Sequence, residues 1–303
     1  MCEREKMFSS MLKKGDLIGI ASPSSLVHAG DYDEVFRELE EMGFRVCTGP
    51  NFYAASWGFA ASPEERAEDL HALVRNDEVR MIWFGGGEGA DDVLPLLDME
   101  LIRRHPKIWL SHSDGTSILN PVSCLCDIPV FYGQYPNIVT KDHAYNIRNF
   151  MDHMTGNGCD RHEKSGPWHT VRSGIAEGIT LGGYLDNFTY LVNSGWVLPK
   201  PGEEYILFLE EHSSFFKPEH VSDELARLEH SPLMRRTRGI LFGEYSETED
   251  ESLLFRLKVL AERYQIPLAC CRDFGHGKNH AVMHLGCRAW LDTGNGELIY
   301  LSR

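Results

Sequence analysis

The chain has 303 residues, of which 42% are hydrophobic, 25% charged and 11% aromatic, the make-up of a folded protein with room for one large domain or two ordinary ones. A chain of this size buries roughly 75% of its unfolded surface, so its core forms without disulfide or metal staples. Forty-five acidic residues against 30 basic ones leave a formal charge of −15, a field that repels nucleic acid and anionic membranes and excludes both as expected partners.

The opening MCEREKMFSSMLKKGD has no apolar stretch of signal-peptide length, and no apolar run in the chain reaches 18 residues, so the expected location is cytoplasmic. Residues 17–21, LIGIA, form an apolar run of strand length that ends at the turn-rich Ser22-Pro23-Ser24-Ser25. In the following DYDEVFRELEEMG, Val35, Phe36, Leu39 and Met42 recur at helical spacing, and Gly43 stands where a C-cap belongs. Residues 44–47 read as a second short strand. Ser62-Pro63-Glu64-Glu65 predicts a helix start, with Ser62 as cap, Pro63 in the first turn and Glu65 closing a capping box; Ala67, Leu70, Leu73 and Val74 then face inward. Residues 79–84 follow as a strand, Gly85-Gly86-Gly87-Glu88-Gly89 as a loop, 91–97 as a short helix and 107–110 as the start of another strand. Apolar strands alternating with amphipathic helices predict an α/β fold whose first domain holds a largely parallel sheet covered on both faces. In such sheets the ligand crevice lies at the carboxyl ends of the strands, where 85–89 and 111–115 both fall.

The polar, turn-rich DRHEKSGP from Asp160 onward marks a domain link, placed at 161–173 between an N-terminal domain, 1–160, and a C-terminal domain, 174–303. The second half opens on GIAEGITLGG and offers strands near 205–209, 239–242, 268–271, 287–291 and 298–301, with helices over 221–229 and 251–264. This composition predicts an α+β domain. Eight cysteines, Cys2, Cys47, Cys124, Cys126, Cys159, Cys270, Cys271 and Cys287, lack the paired C-x-x-C spacing of a structural zinc site and read as buried free thiols.

Four stretches carry chemistry. In WLSHSDGTSIL, residues 109–119, a strand stops abruptly at Ser111-His112-Ser113-Asp114-Gly115 before an apolar segment resumes. A serine on such a turn has its hydroxyl lifted from the sheet beside converging N–H groups, the logic of a nucleophile elbow; Ser113 is the better placed of the two, although serines in such turns are usually helix caps. The glycine run 85–89 matches no phosphate-binding fingerprint and is either a tight turn or a loop lending an N–H to an oxyanion. Leu207-Phe208-Leu209-Glu210-Glu211-His212 ends an apolar strand in two carboxylates, and Asp273-Phe274-Gly275-His276-Gly277 sets a histidine between glycines after another strand. A serine nucleophile needs such a base and such an orienting acid. His276, His280 and His284 also recur every four residues, a metal-binding spacing if the segment were helical, but the glycines around His276 oppose a helix.

The order of these motifs resembles the serine peptidases that include the LD-carboxypeptidases of murein recycling and the microcin C self-immunity peptidases. The resemblance runs from Lys14-Gly15-Asp16 and the strand after it through Glu64-Glu65-Arg66-Ala67-Glu68-Asp69-Leu70, Gly86-Gly87, Pro106-Lys107, Ser113-Asp114, Leu181-Gly182-Gly183, Leu207–Glu210 and Phe274-Gly275-His276. It implies a Ser-Glu-His triad of Ser113, Glu210 and His276, formed between the two domains, with the N–H groups of Gly87 and Asp114 as oxyanion donors. It also implies a homodimer, and no cofactor or metal is expected. Gly86 and Trp168 are the candidate substrate contacts, Trp168 as an aromatic that could stack on a base. The chain departs from the family pattern at Ser111, which takes a usual glycine position, and at Phe84-Gly85, which precede the glycine pair where LD-carboxypeptidases generally have arginine. His284 stands for the proline of a Pro-x-Gly, and Tyr132-Gly133-Gln134 for a common His-Gly-Pro.

The expected substrate is therefore a small peptide or an aminoacyl-nucleotide: either a murein tetrapeptide losing its terminal D-alanine or an aminoacyl-nucleotide amide, the glycine loop favouring the second. Two alternatives belong to other classes, a non-catalytic ligand-binding module and a metal-dependent hydrolase using His276, His280 and His284.

Overall fold

The computed structural model describes residues 11–141, 143–156 and 160–301, and divides into two compact units, Met1–Asn157 and Gly158–Arg303. In the first unit, strands β1 (Leu17–Ala21), β2 (Arg45–Thr48), β3 (Val79–Phe84), β4 (Ile108–Ser111) and β5 (Val130–Tyr132) lie in the order β5-β4-β3-β1-β2, every adjacent pair parallel. Helices α1 (Asp33–Glu41), α2 (Pro63–Arg75), α3 (Ala90–Val93), α4 (Met99–Arg104), α5 (Thr116–Cys126) and α6 (Ala144–Thr155) connect or follow them. All of β1 and β4 is buried, as is β3 except for Arg80, because a parallel sheet covered by helices leaves no face for polar residues.

The strand order reverses at β1, which pairs with both β2 and β3. At such a switch point the loops after two neighbouring strands diverge and open a crevice. The loops concerned are Ser22-Pro23-Ser24-Ser25 after β1 and 85–89 after β3. Helix α2 begins with the expected capping box, Ser62 and Glu65 each bonding to the other's backbone N–H.

The second unit is built on a seven-stranded sheet. Strands β7 (Ile175–Tyr184), β8 (Tyr205–Glu210), β9 (Thr237–Glu244) and β10 (Leu268–Gly275) run parallel at its centre, joined through α7 (Leu185–Ser194), α8 (Pro218–Glu229) and α9 (Glu251–Tyr264). Strand β6 (His169–Arg172) pairs antiparallel to β10, and β12 (Arg288–Asp292) with β13 (Glu297–Tyr300) completes the other edge; β11 (Met283–Leu285) is a further short strand. The segment 161–173, expected as a link, is part of this second unit: β6 lies in it, and its first turns are tied to Asp273 on β10. Its polarity comes from being an edge, not a tether.

Six cysteines fall among the described residues and all are free thiols, Cys126, Cys271 and Cys287 buried and Cys47, Cys124 and Cys270 half-buried. Cys2 and Cys159 lie outside the described residues. Among the described residues no helix is long and apolar enough to cross a membrane.

Candidate active site

In the first unit, β4 ends at Ser111 and the chain turns through Ser113–Gly115 into α5. Ser113 sits at φ 55°, in the left-handed region that L-residues other than glycine rarely enter. Its N–H donates to the Tyr132 hydroxyl at 3.0 Å, and the Asp114 carboxylate accepts from the Ala90 N–H at 2.9 Å, tying the turn to the start of α3. Ser111 is fully buried, and its hydroxyl donates to the Phe84 carbonyl at 2.8 Å, joining the ends of β4 and β3. The serine in the usual glycine position is thus a fastener between strands, turned away from the exposed side of the elbow. A Cβ at Gly115 would come within 1.9 Å of that hydroxyl, so Gly115 is what lets the turn close over Ser111.

The glycine loop lies against the elbow. A Cβ on Gly86 would stand 2.6 Å from the Ser113 Cβ and 3.3 Å from its Oγ, which shows how closely the loop backbone approaches the serine. Gly87 has φ +137°, and a side chain there would collide with Ser25 at 1.9 Å. Arg66, buried on α2, holds the same region from behind: its Nη1 donates to the Pro23 carbonyl at 2.5 Å and the Gly89 carbonyl at 2.8 Å, and Nη2 lies 3.7 Å from Asp92. Burial lowers the Arg66 pKa, partly offset by Asp92 and Asp114. Sequence reading matched Arg66 without giving it a role; its place on the inward face of α2, one turn after the cap, was the available signal.

In the second unit, Glu210 is the last residue of β8 and is fully buried. His276 follows β10, and its Nδ1 lies 2.9 Å from Glu210 Oε2. A carboxylate at that distance keeps the imidazole proton on Nδ1 and leaves the Nε2 lone pair to act as a base. Burial lowers the His276 pKa, but the charge and hydrogen bond of Glu210, with a contribution from Glu211, outweigh it and the net direction is upward. Glycines make the approach possible: a Cβ at Gly243 would stand 2.9 Å from the Glu210 Cβ, and one at Gly277 would strike the Glu244 carboxylate at 2.0 Å. The rings of Tyr184 and Phe215 each meet the imidazole edge-on at 5.1 Å, and His212 lies 6.3 Å away.

Trp168 donates its indole N–H to Asp273 at 2.6 Å, and the same buried carboxylate accepts from His162 at 2.9 Å and from the Ser165 N–H and hydroxyl at 2.8 and 2.6 Å. The polar edge of Trp168 is therefore committed inside the second unit while its ring remains half-exposed. Among the described residues, His276, His280 and His284 do not gather into a metal-ligating cluster; His284 lies in β11 and stacks on Tyr300 at 4.0 Å.

Residues 18–133 match the sequence model of the LD-carboxypeptidase N-terminal domain, and residues 177–291 that of the LD-carboxypeptidase C-terminal domain. A probable murein peptide carboxypeptidase of Bacillus subtilis is 26% identical, covering 93% of this chain and 90% of its own. The microcin C7 self-immunity protein of Escherichia coli is 24% identical over 98% and 96% of the two chains. Among solved structures, a protein of Bacillus anthracis described as like that immunity protein superposes with a TM-score of 0.86 at 22% identity, covering 97% of this chain and 99% of its own. The immunity protein bound to aspartyl sulfamoyl adenosine gives 0.84 at 22% identity, over 97% and 98%. Since the two matched domains together span more than half of the sequence, this chain belongs to the LD-carboxypeptidase family.

Proposed function

We propose that the protein is a serine hydrolase of amide bonds. Ser113 attacks the carbonyl, His276 takes the serine proton at Nε2 and returns it to the leaving amine, and Glu210 orients the imidazole and stabilises its charged form. The observation that carries the reading is the left-handed backbone of Ser113 at the end of β4, with the Gly86 backbone pressed against it. Strain of this kind persists only where its surroundings over-determine it, and it gathers at functional sites. The N–H groups of Gly87 and Asp114 are the proposed oxyanion donors, each worth about 3 kcal/mol in comparable sites.

For the substrate, an aminoacyl-nucleotide amide is favoured over a murein tetrapeptide with a terminal D-alanine. A terminal carboxylate calls for an accessible cation, and Arg66, which reaches the glycine loop, is buried with its Nη1 bonded to the Pro23 and Gly89 carbonyls. Gly86 and the half-exposed ring of Trp168 are the proposed substrate contacts. A cytoplasmic homodimer is the proposed setting, and sedimentation velocity reads the assembly.

The test is hydrolysis of a murein tetrapeptide and of aspartyl sulfamoyl adenosine by the purified protein. Ser113→Ala should lower kcat by about 10⁶-fold with the circular dichroism spectrum unchanged. Activity that survives this substitution rejects the mechanism.

A further inference from the structure

The strand that delivers Glu210 is followed by a second carboxyl. Glu211 is 1% exposed; its Oε1 accepts from the His212 N–H at 2.9 Å, while Oε2 is enclosed without a hydrogen-bonding partner at normal distance. The titratable groups that face it are the Tyr184 hydroxyl at the end of β7, Glu210 on its own strand, His276 after β10 and Tyr245 after β9. Tyr184 connects Glu211 to His276, because its hydroxyl bonds to the Glu211 carboxyl and its ring meets the His276 imidazole edge-on at 5.1 Å.

A buried carboxylate with an unpaired oxygen is costly, and the group avoids that cost by keeping its proton. Burial pushes the Glu211 carboxyl up to about 8, with Glu210 adding to the rise and hydrogen bonds from Tyr184 and His212 opposing it. Burial, and then the charge of Glu211, raise Tyr184 as well.

We propose that Glu211 is a positioning residue for His276 that works in its neutral form, its carboxyl accepting from the Tyr184 hydroxyl so that the ring behind the imidazole is held and the base meets one carboxylate charge instead of two. The inference rests on the reading of His276 as the catalytic base. When Glu211 loses its proton to solvent, the added negative charge stabilises the imidazolium and withholds the Nε2 lone pair from the serine.

The experiment is a nitrogen-15 NMR titration of the His276 imidazole from pH 5 to 10, with kcat/KM measured on the same samples, in wild type, Glu211→Gln, Glu211→Ala and Tyr184→Phe. Wild type should show a second inflection of the His276 shifts near pH 8, matched by a bend in kcat/KM. Glu211→Gln should abolish both. Tyr184→Phe, which removes a hydrogen bond that favours the ionised carboxyl, should move the inflection to higher pH. Glu211→Ala should lower kcat by up to about 10²-fold with little change in KM, and glutamine at the same position should restore most of it. An identical His276 titration in wild type and Glu211→Gln overturns the proposal. The titration needs no substrate, so a protein that cleaves neither candidate amide would reject the hydrolase reading and leave the measured coupling to be judged separately.

Discussion

At the scale of single residues, the informative feature is a serine whose backbone conformation is unfavourable. The left-handed region costs a residue with a Cβ about 1–2 kcal/mol, and Ser113 occupies it on the turn between β4 and α5. Ser113→Gly should therefore be more stable than Ser113→Ala by about 1 kcal/mol, as read from urea midpoints. Equal midpoints would show that the elbow stores no strain. Sequence position separated Ser113 from Ser111 only by their places on the turn. Their different jobs became visible when the Ser111 hydroxyl was found bonded to Phe84, a residue of another strand.

Among the elements, those carrying a strong local pattern were legible in the sequence. Strand β3 was expected at 79–84 and lies there, β1 likewise at 17–21, and the capping box of α2 is formed by the residues that announced it. That cap also fixes the helix that presents Arg66 to the glycine loop. Ser62→Ala should cost about 1 kcal/mol in thermal unfolding, and a variant as stable as wild type would mean the box contributes nothing. Other elements were masked for physical reasons. The buried face of α6 includes Asn146, Asn149 and His153, so its hydrophobic period is broken by polar residues. Strand β7 contains three glycines, with Gly182 lying so close to β8 that a Cβ would stand 1.9 Å from the Phe208 carbonyl. Strand β6 is largely exposed, and what holds the chain before it is Asp273, more than a hundred residues away. The pairing of Glu210 with His276 was legible only through the family resemblance, since 66 residues separate them.

For the whole molecule, stability should fall as the solution is made alkaline. Burial is the leading cause that raises the carboxyls of Asp69, Glu211, Glu224 and Glu244 above their ordinary values. Because the unfolded chain loses these protons at lower pH, their contribution is complete below the ordinary carboxylate range and is lost as pH rises through the folded values, up to about 8 for Glu211. Asp273 has the opposite sign: burial raises it, but bonds from His162 and Ser165 prevail and lower it, so its contribution is lost only as pH falls through its depressed value. The formal charge of −15 adds repulsion in the alkaline direction. The urea midpoint should decline between pH 5 and pH 9, and Glu211→Gln should flatten that decline. A midpoint that rises over this interval would contradict the upward shift of these buried acids.

The contact between Gly115 and Ser111 makes two positions answer to one volume. With a hydroxyl filling the space where a side chain at 115 would begin, residue 115 has no alternative to glycine. The departure at 111 is therefore not an isolated change: it narrows the amino-acid choice four residues onward.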